Sequence, residues 1–550
     1  MGLLGRESWY NLSMKKALGV IFLLGLVLRV TSLGEHPAGF TPDEASFGYD
    51  AYSIMKTGRD QWGHFLPLTL KSFGDGKMAL YSYLTIPTIS LFGLNEFAVR
   101  LPNALLASVA VVVVYFIVYE WRRNEREAIL SSLLLATSPW HVMMSRGAFE
   151  ANLTTFFMSM GVWAFLAGRK ETKWLYLSAL AFGLNMFSYH AARLVTPLVI
   201  AGLWISFRDS FGVKHKRSGR GAALLFCGFL VLGVYSYFGG AGSRLGTAGI
   251  FSLAGEAGNR RFDAMMAGEP ALLSRVFNNK VVHVGELFIQ NYVQYFSPSF
   301  LFVKGAGEYT YGMVPGVGVL YLFEAAFLGG FIWLLTKDKV RNKGWILVWI
   351  FASPLPAALA VGPGYAANRA VVMIPVIQIA SAIGGAWLWE RYGKRWVLYV
   401  FGFFWVIQFC FNAEDYLVFQ RAYGAPAMVY GAREVFVEIN EEYRYVGDIV
   451  VSKKISEPHI FAAFYGKIDP REYQKSAEGW DLKGGGYGWV DQIPEYNLGR
   501  YVFKNIHWEL DKEKGEMILA GRPEDFGENA LVAKKVFYPN KSDAYWIVKN

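Results

Sequence analysis

The tetrapeptide Thr41-Pro42-Asp43-Glu44 sets two adjacent carboxylates just ahead of a patterned apolar run. Thr41 or Asp43 can cap a helix there, with Pro42 near its first position and the acids in a first turn that favours negative charge. Equally, an Asp held at the mouth of a membrane domain is desolvated and serves as a base toward a hydroxyl. Two later strings, Ser145-Arg146-Gly147-Ala148-Phe149-Glu150 and Tyr189-His190-Ala191-Ala192-Arg193, also put ionisable side chains at the openings of apolar runs. Glu150 reads as a cap or as a pocket carboxylate, and His190 as an interfacial histidine or a substrate contact. Arg369, ending Gly362-Pro363-Gly364-Tyr365-Ala366-Ala367-Asn368-Arg369, either anchors a helix end or clamps a phosphate through paired hydrogen bonds.

Other chemistries lack their residues. There is no D-x-D to hold a nucleotide-sugar through Mg²⁺, no GxxxxGK[ST] and no HExxH. A nucleotide-sugar donor is disfavoured; no cofactor is assigned, and a divalent metal stays open as a cofactor without a D-x-D motif to support it. Cys227 and Cys410 both fall in apolar runs, so neither a disulfide framework nor a CxxC site is available. The Gly-rich stretch 239–258 follows an apolar run rather than a strand, and it reads as a mobile flap rather than a phosphate cradle.

The elements that must position these residues are read from composition. In 550 residues, 53% are hydrophobic and only 18% charged, where an ordinary soluble chain carries about 25% charge. Mean hydropathy is +0.26. Such a chain cannot clothe its apolar content in water, and its 58 Gly and 17% aromatics suit packed membrane helices with interfacial rings. The net charge of +10 does not point to nucleic acid. Residues 413–550 carry 18 Lys and Arg against 22 Asp and Glu, so the whole basic excess lies on residues 1–412, in short clusters between apolar runs.

Those runs predict eleven spans: 17–30, 97–119, 127–144, 152–168, 174–189, 192–207, 221–238, 316–336, 344–361, 370–389 and 396–412. With the N-terminus inside, the inner segments hold 21 Lys and Arg and the three short outer loops hold three: Arg146, Arg193 and Arg369. The expected fold class is an α-helical polytopic membrane protein with a small extracytoplasmic α/β domain. The expected division is a membrane domain over 1–412, with outer segments 34–96 and 239–315, followed by 413–550. Within the outer parts the patterns predict helices over 45–56, 261–280 and 432–444, an interfacial stretch over 78–92, and β-runs over 448–451, 501–503 and 516–519.

The strings PDEASFGYDAYSIMKTGRDQWGHFLP, GKMALYSYL and FGLNEFAVRLPNALLA, in that order, resemble the first outer loop and second helix of the C-type membrane glycosyltransferases. The resemblance is to the group of protein O-mannosyltransferases and the lipid A aminoarabinose transferase. It is good over 35–110, weaker to about 390, and absent over 413–550. It implies a polyprenyl-phosphate-linked sugar as donor, a lipid, protein or glycan acceptor, and membrane lipids as partners. By resemblance Asp43, with Glu44 beside it, maps to the catalytic base of a single inverting displacement, and Lys77 to the phosphate-binding lysine. Arg369 and Arg193 would join Lys77 on the phosphate, and Arg146, Glu150, Tyr189 and His190 would line the substrate pocket. Lys77 is flanked by Gly76 and Met78 where relatives often carry Glu and Pro, which removes a potential metal ligand. The implied location is the plasma (inner) membrane, with the C-terminal part outside. Competing classes are a lipid-linked-sugar transporter or flippase, and a non-catalytic envelope assembly protein. The first calls for ionisable residues near the mid-membrane and usually for repeats, neither of which the sequence has.

Overall fold

A computed structural model describes residues 2–238, 249–307, 309–361, 367–393, 395–480, 482, 484–515 and 517–549. The expected flap residues 239–248 lie outside the described residues. Helix α1 (Gly2–Val30) leads into the expected outer segment, built of α2 (Pro42–Thr57), the antiparallel hairpin β1 (Thr69–Lys71) and β2 (Gly76–Met78), and α3 (Leu80–Phe92). The body continues through α4 (Glu96–Arg122), α5 (Glu125–Thr137), α6 (Pro139–Ser145), α7 (Leu153–Gly168), α8 (Trp174–Asn185), α9 (His190–Phe207) and α10 (Lys216–Ser236). After α11 (Glu256–Met266), α12 (Ala271–Phe277) and α13 (Lys280–Gln294) come α14 (Glu324–Thr336), α15 (Gly344–Ala352), α16 (Leu355–Ala358), α17 (Ala367–Ala370), α18 (Val376–Tyr392) and α19 (Arg395–Glu414).

By length and composition, four described helical stretches can cross a membrane: Glu96–Arg122, Glu150–Gly168, His190–Ser210 and Val213–Ser236. A fifth counts if the pair Glu125–Thr137 and Pro139–Ser145, bent by 54°, is one span. The sequence predicts eleven, and the difference has local causes. The expected span 316–336 is helical only from Glu324, 344–361 breaks at Pro354, and 370–389 opens with a 3-10 turn before Pro375. The expected helix 261–280 is two helices, because Gly268 takes a φ of +93° and Pro270 follows it.

The α5–α6 break is made good from α1. Pro139 has no N–H for the Leu135 carbonyl four residues back. Arg29, fully buried, donates instead to the carbonyls of Leu135 (3.2 Å) and Ala136 (3.0 Å) and reaches His141 Nδ1 at 2.8 Å. A kink deep in an apolar body thereby keeps its backbone satisfied.

The C-terminal part holds α20 (Ala432–Glu442), β3 (Ile449–Ser452), α21 (Pro458–Gly466), α22 (Pro470–Glu478), β4 (Glu495–Leu498), β5 (Tyr501–Lys504), the short α23 (Trp508–Asp511), β6 (Ile518–Gly521), β7 (Val532–Phe537) and β8 (Asp543–Lys549). Its strands form one mixed six-stranded sheet, ordered β4-β5-β3-β6-β8-β7, with β3 parallel to β5 and β6. The expected helix 432–444 and the three expected β-runs fall on α20, β3, β5 and β6 to within a few residues. This part is not a separate core. Phe40, Phe47 and Tyr49 of the first outer segment share one buried cluster with Val435, Phe461, Phe464 and Tyr473. The junction at 412/413 also lies within continuous helical backbone, since α19 runs on into a π-helical stretch, Asp415–Gly424.

Candidate functional site

Helix α2 starts where its residues dictate. The Thr41 hydroxyl accepts from the Glu44 amide (3.2 Å), Glu44 Oε2 accepts from the Thr41 amide (3.0 Å), and Pro42 occupies the first turn. Gly58 ends the helix in the left-handed region at φ 70°. Spaced at i, i+3 and i+7, Asp43, Ser46 and Asp50 share one face, with about 1.5 Å of rise per residue.

The buried carboxylate at the start of α2 is Glu44, and it is fully occupied. Oε1 accepts from Arg100 Nε (2.8 Å) and the Ala148 amide (2.9 Å), and Oε2 from Arg100 Nη2 (3.2 Å) as well as Thr41. Arg100 also donates to the carbonyls of Leu33, Pro37 and Gly39. The Glu of the first motif and the Arg of the RLP motif are thus a clamp joining α2, α4, the 33–39 segment and the loop at Ala148. A catalytic share for Glu44 finds no free lone pair. Asp43 is half-buried on the neighbouring face of the same turn.

Lys77, at the centre of β2, is 1% exposed. Its ammonium donates to Ser46 Oγ (2.6 Å), stands 3.8 Å from Asp50 Oδ2, and lies over the Phe47 ring at 4.1 Å. Asp50 Oδ1 accepts from the Gln61 amide (3.0 Å), and Gln61 Nε2 donates to Ser46 (2.9 Å). Burial pushes the Asp50 carboxyl up to about 7, against the opposing pull of Lys77. One face of α2 therefore carries both Asp43 and the cradle of Lys77. Ser46 and Asp50 went unremarked in the sequence, although their spacing from Asp43 marks them as its neighbours.

His190 and Arg193 converge on the same hairpin from α9. His190 Nε2 donates to the Gly76 carbonyl (3.2 Å), and Arg193 donates to Ser236 Oγ (2.9 Å) and approaches Met78 Sδ at 3.2 Å. Tyr189, half-buried, packs on the membrane core beside His190. Glu150 opens a 3-10 turn, Glu150–Asn152, against which α17, the helix of Arg369, packs. Arg369 Nη1 donates to the Val361 carbonyl at 2.5 Å. Arg146 lies elsewhere: it is buried and donates to the carbonyls of Leu28 (2.6 Å) and Thr31 (2.7 Å), capping the C-terminal end of α1. It edges a cavity of about 390 Å³ that is walled by α1, α6, the end of α19 and the residues that follow it.

The C-terminal part closes over the hairpin turn. The Val490 amide donates to the Phe73 carbonyl (2.8 Å), and a Cβ on Gly74 would lie 2.2 Å from the Trp489 ring and 2.3 Å from the Gly488 carbonyl. Just behind are Glu457, His459 and Asp491, whose ligand atoms all lie within 4.8 Å of one another. Among the described residues this is the group with metal-ligating spacing, and it spans 35 residues of sequence with no motif to announce it. Burial, then Asp491 and then Asp43 push Glu457 up to about 9, so Asp43 stands within electrostatic reach. Burial holds His459 down at about 3. Glu457 also sits in the left-handed region at φ 52°, a costly conformation for its residue type.

Residues 79–236 match the family model described as dolichyl-phosphate-mannose-protein mannosyltransferase. Among solved structures, ArnT from Cupriavidus metallidurans in the apo state is similar along 99% of this chain and 98% of its own, at 12% identity and a TM-score of 0.51. The same protein bound to undecaprenyl phosphate matches over 98% of both chains, at 14% identity and a TM-score of 0.50. No curated protein sequence matches the chain. The family pattern thus lies on the helices that frame the site, and the fold of ArnT is shared along nearly the whole length of the chain.

Proposed function

We propose that the protein is an inverting glycosyltransferase that moves a hexosyl or pentosyl unit from a polyprenyl phosphate to an acceptor hydroxyl at the outer membrane face. The observation that carries this reading is the single face of α2, which sets Asp43 one helical turn from Ser46 and two from Asp50, the partners of Lys77. Asp43 takes the proton of the acceptor hydroxyl, whose oxygen attacks the anomeric carbon as the bond to the phosphate breaks. Lys77 takes up the charge developing on the departing phosphate, with Arg193 and Arg369 as further cations. Glu44 holds the turn that aims Asp43, while Glu150, Tyr189 and His190 shape the sugar and acceptor side. Arg146 acts through α1 rather than on substrate.

The topology belongs to the same reading: eleven spans, several of them broken, with an inner N-terminus and the C-terminal part outside the plasma (inner) membrane. The bias of 21 inner to three outer basic residues supports it. A donor with a lipid tail suits a site at the edge of an apolar body, and undecaprenyl phosphate is bound in the similar ArnT structure. The test supplies purified protein in lipid with a polyprenyl-phosphate sugar of one anomer, and separately with the matching nucleotide sugar. The reading expects turnover of the first alone, with the product's anomeric configuration inverted. Turnover of the nucleotide sugar, or a retained configuration, would contradict it.

A further inference from the structure

Far from the outer loops, α7, α8, α9 and α10 enclose a cavity of about 640 Å³, within the roughly 300–1,000 Å³ typical of small-molecule pockets. Its walls are apolar, with Phe182, Ile200, Trp204 and Phe226 among them, and Phe211 stacks on Trp204 at 5.6 Å to form one side. Lys216 and Arg220, one turn apart at the start of α10, stand at its edge, and both are exposed. Among the described residues neither pairs with a carboxylate. His215 lines the same cavity and is 4% exposed. Its Nε2 faces the Arg169 carbonyl at 3.1 Å and so carries the proton, which leaves Nδ1 an acceptor with no partner. The flank of α10 beyond the cavity presents Leu224, Val231 and Tyr235 outward, each about 70% exposed, a surface suited to lipid.

An apolar chamber edged by two exposed cations, neither paired with a carboxylate among the described residues, matches one chemistry: a hydrocarbon chain below an anionic phosphate. We propose that this cavity seats an acyl chain of an anionic phospholipid of the inner leaflet. Its phosphate lies on Lys216 and Arg220. The leaflet rests on the topology given above, whereas the binding chemistry does not. A second apolar cavity, of about 560 Å³ between α5, α14, α18 and α19, carries no such signature: its rim cation Arg126 already faces Glu390 at 3.9 Å.

Gly219 supplies a steric probe. It lines the cavity, and a Cβ there would meet nothing within 4 Å, so Gly219→Phe adds bulk at the cavity wall while leaving both cations in the sequence. The experiment is native mass spectrometry of the purified full-length protein equilibrated with phosphatidylglycerol or with phosphatidylcholine. Wild type is expected to retain phosphatidylglycerol at least tenfold better. Lys216→Ala with Arg220→Ala should cut that retention about fivefold per cation removed, at an unchanged melting temperature. Gly219→Phe should lower retention of both lipids. Equal retention of the two lipids by wild type, or variants without effect, would overturn the site. The leaflet is read separately: Ser210→Cys in a Cys227→Ser, Cys410→Ser background should resist a membrane-impermeant thiol reagent added outside intact cells. Labelling from outside would overturn the leaflet and the topology while leaving the purified-protein result to judge the binding.

Discussion

Asp43 and Glu44 are adjacent acids in opposite surroundings: Glu44 is buried and paired, whereas Asp43 is half-buried on the face of α2 proposed to carry the base. Glu44 is the buried half of an ion pair whose loss strands the Arg100 guanidinium, at a cost of about 3–5 kcal/mol. Glu44→Ala should therefore lower the melting temperature sharply or abolish folded yield in detergent, as thermal unfolding would register. On the proposed mechanism Lys77→Met, by contrast, removes a charge from the leaving-group side and should reduce turnover by about 100-fold or more. Lys77→Arg should rescue only part of that loss, since the Ser46–Asp50 cradle is shaped for a compact ammonium. A pH dependence comes from Glu457. With its carboxyl raised to about 9 in the fold, against roughly 4.3 unfolded, the native state favours the protonated form. Its contribution is full below the unfolded value and is lost as pH rises toward 9. Glu457→Gln keeps a neutral side chain, so between pH 5 and pH 8.5 its melting temperature should fall less than that of wild type, by about 2 °C or more.

At the scale of elements, the short outer pieces do the positioning. The β1–β2 hairpin is pinned from one side by His190 and Arg193 and from the other by Val490, whose amide donates to the Phe73 carbonyl, and Trp489. Gly74 lets the C-terminal part approach that closely, and Gly74→Ala must displace the Gly488 carbonyl as well as the Trp489 ring. Limited proteolysis should then cleave the 72–75 turn in the variant and spare it in wild type, and turnover should fall with it. Much of this level was legible in the sequence. The cap Thr41-Pro42-Asp43-Glu44 announced α2, the β-branched and aromatic runs announced β3 and β5, and positive charge between apolar runs marked the loops. What escaped was set by long-range contact. The Glu44–Arg100 clamp joins residues 56 apart, and the Glu457–His459–Asp491 group forms only once β3, α21 and β4 assemble. Helix lengths were overread because a hydropathy window passes over Pro139, Pro354 and Pro375, whereas the backbone does not.

For the whole molecule, the division at 412/413 suggested by composition does not mark independent parts. Phe40, Phe47 and Tyr49 lie in one core with Phe461, Phe464 and Tyr473, and Gly39, at φ 97°, is packed directly against the Met428 backbone. Truncation at 412 would expose that face, so the shortened chain should aggregate on extraction rather than survive as a working membrane catalyst; size-exclusion chromatography of the truncated protein reads this directly. The same arrangement explains why the outer segment 34–96 is ordered at all: it is sandwiched between the membrane helices and the C-terminal sheet. Within that sandwich the central claim concerns one atom pair, the carboxylate of Asp43 and the acceptor proton. The most direct test is Asp43→Asn in the reconstituted protein with a defined polyprenyl-phosphate sugar and saturating acceptor. The account predicts an unchanged melting temperature, retained donor binding, and transfer reduced by about 10²–10⁴-fold. Transfer near the wild-type rate would contradict it.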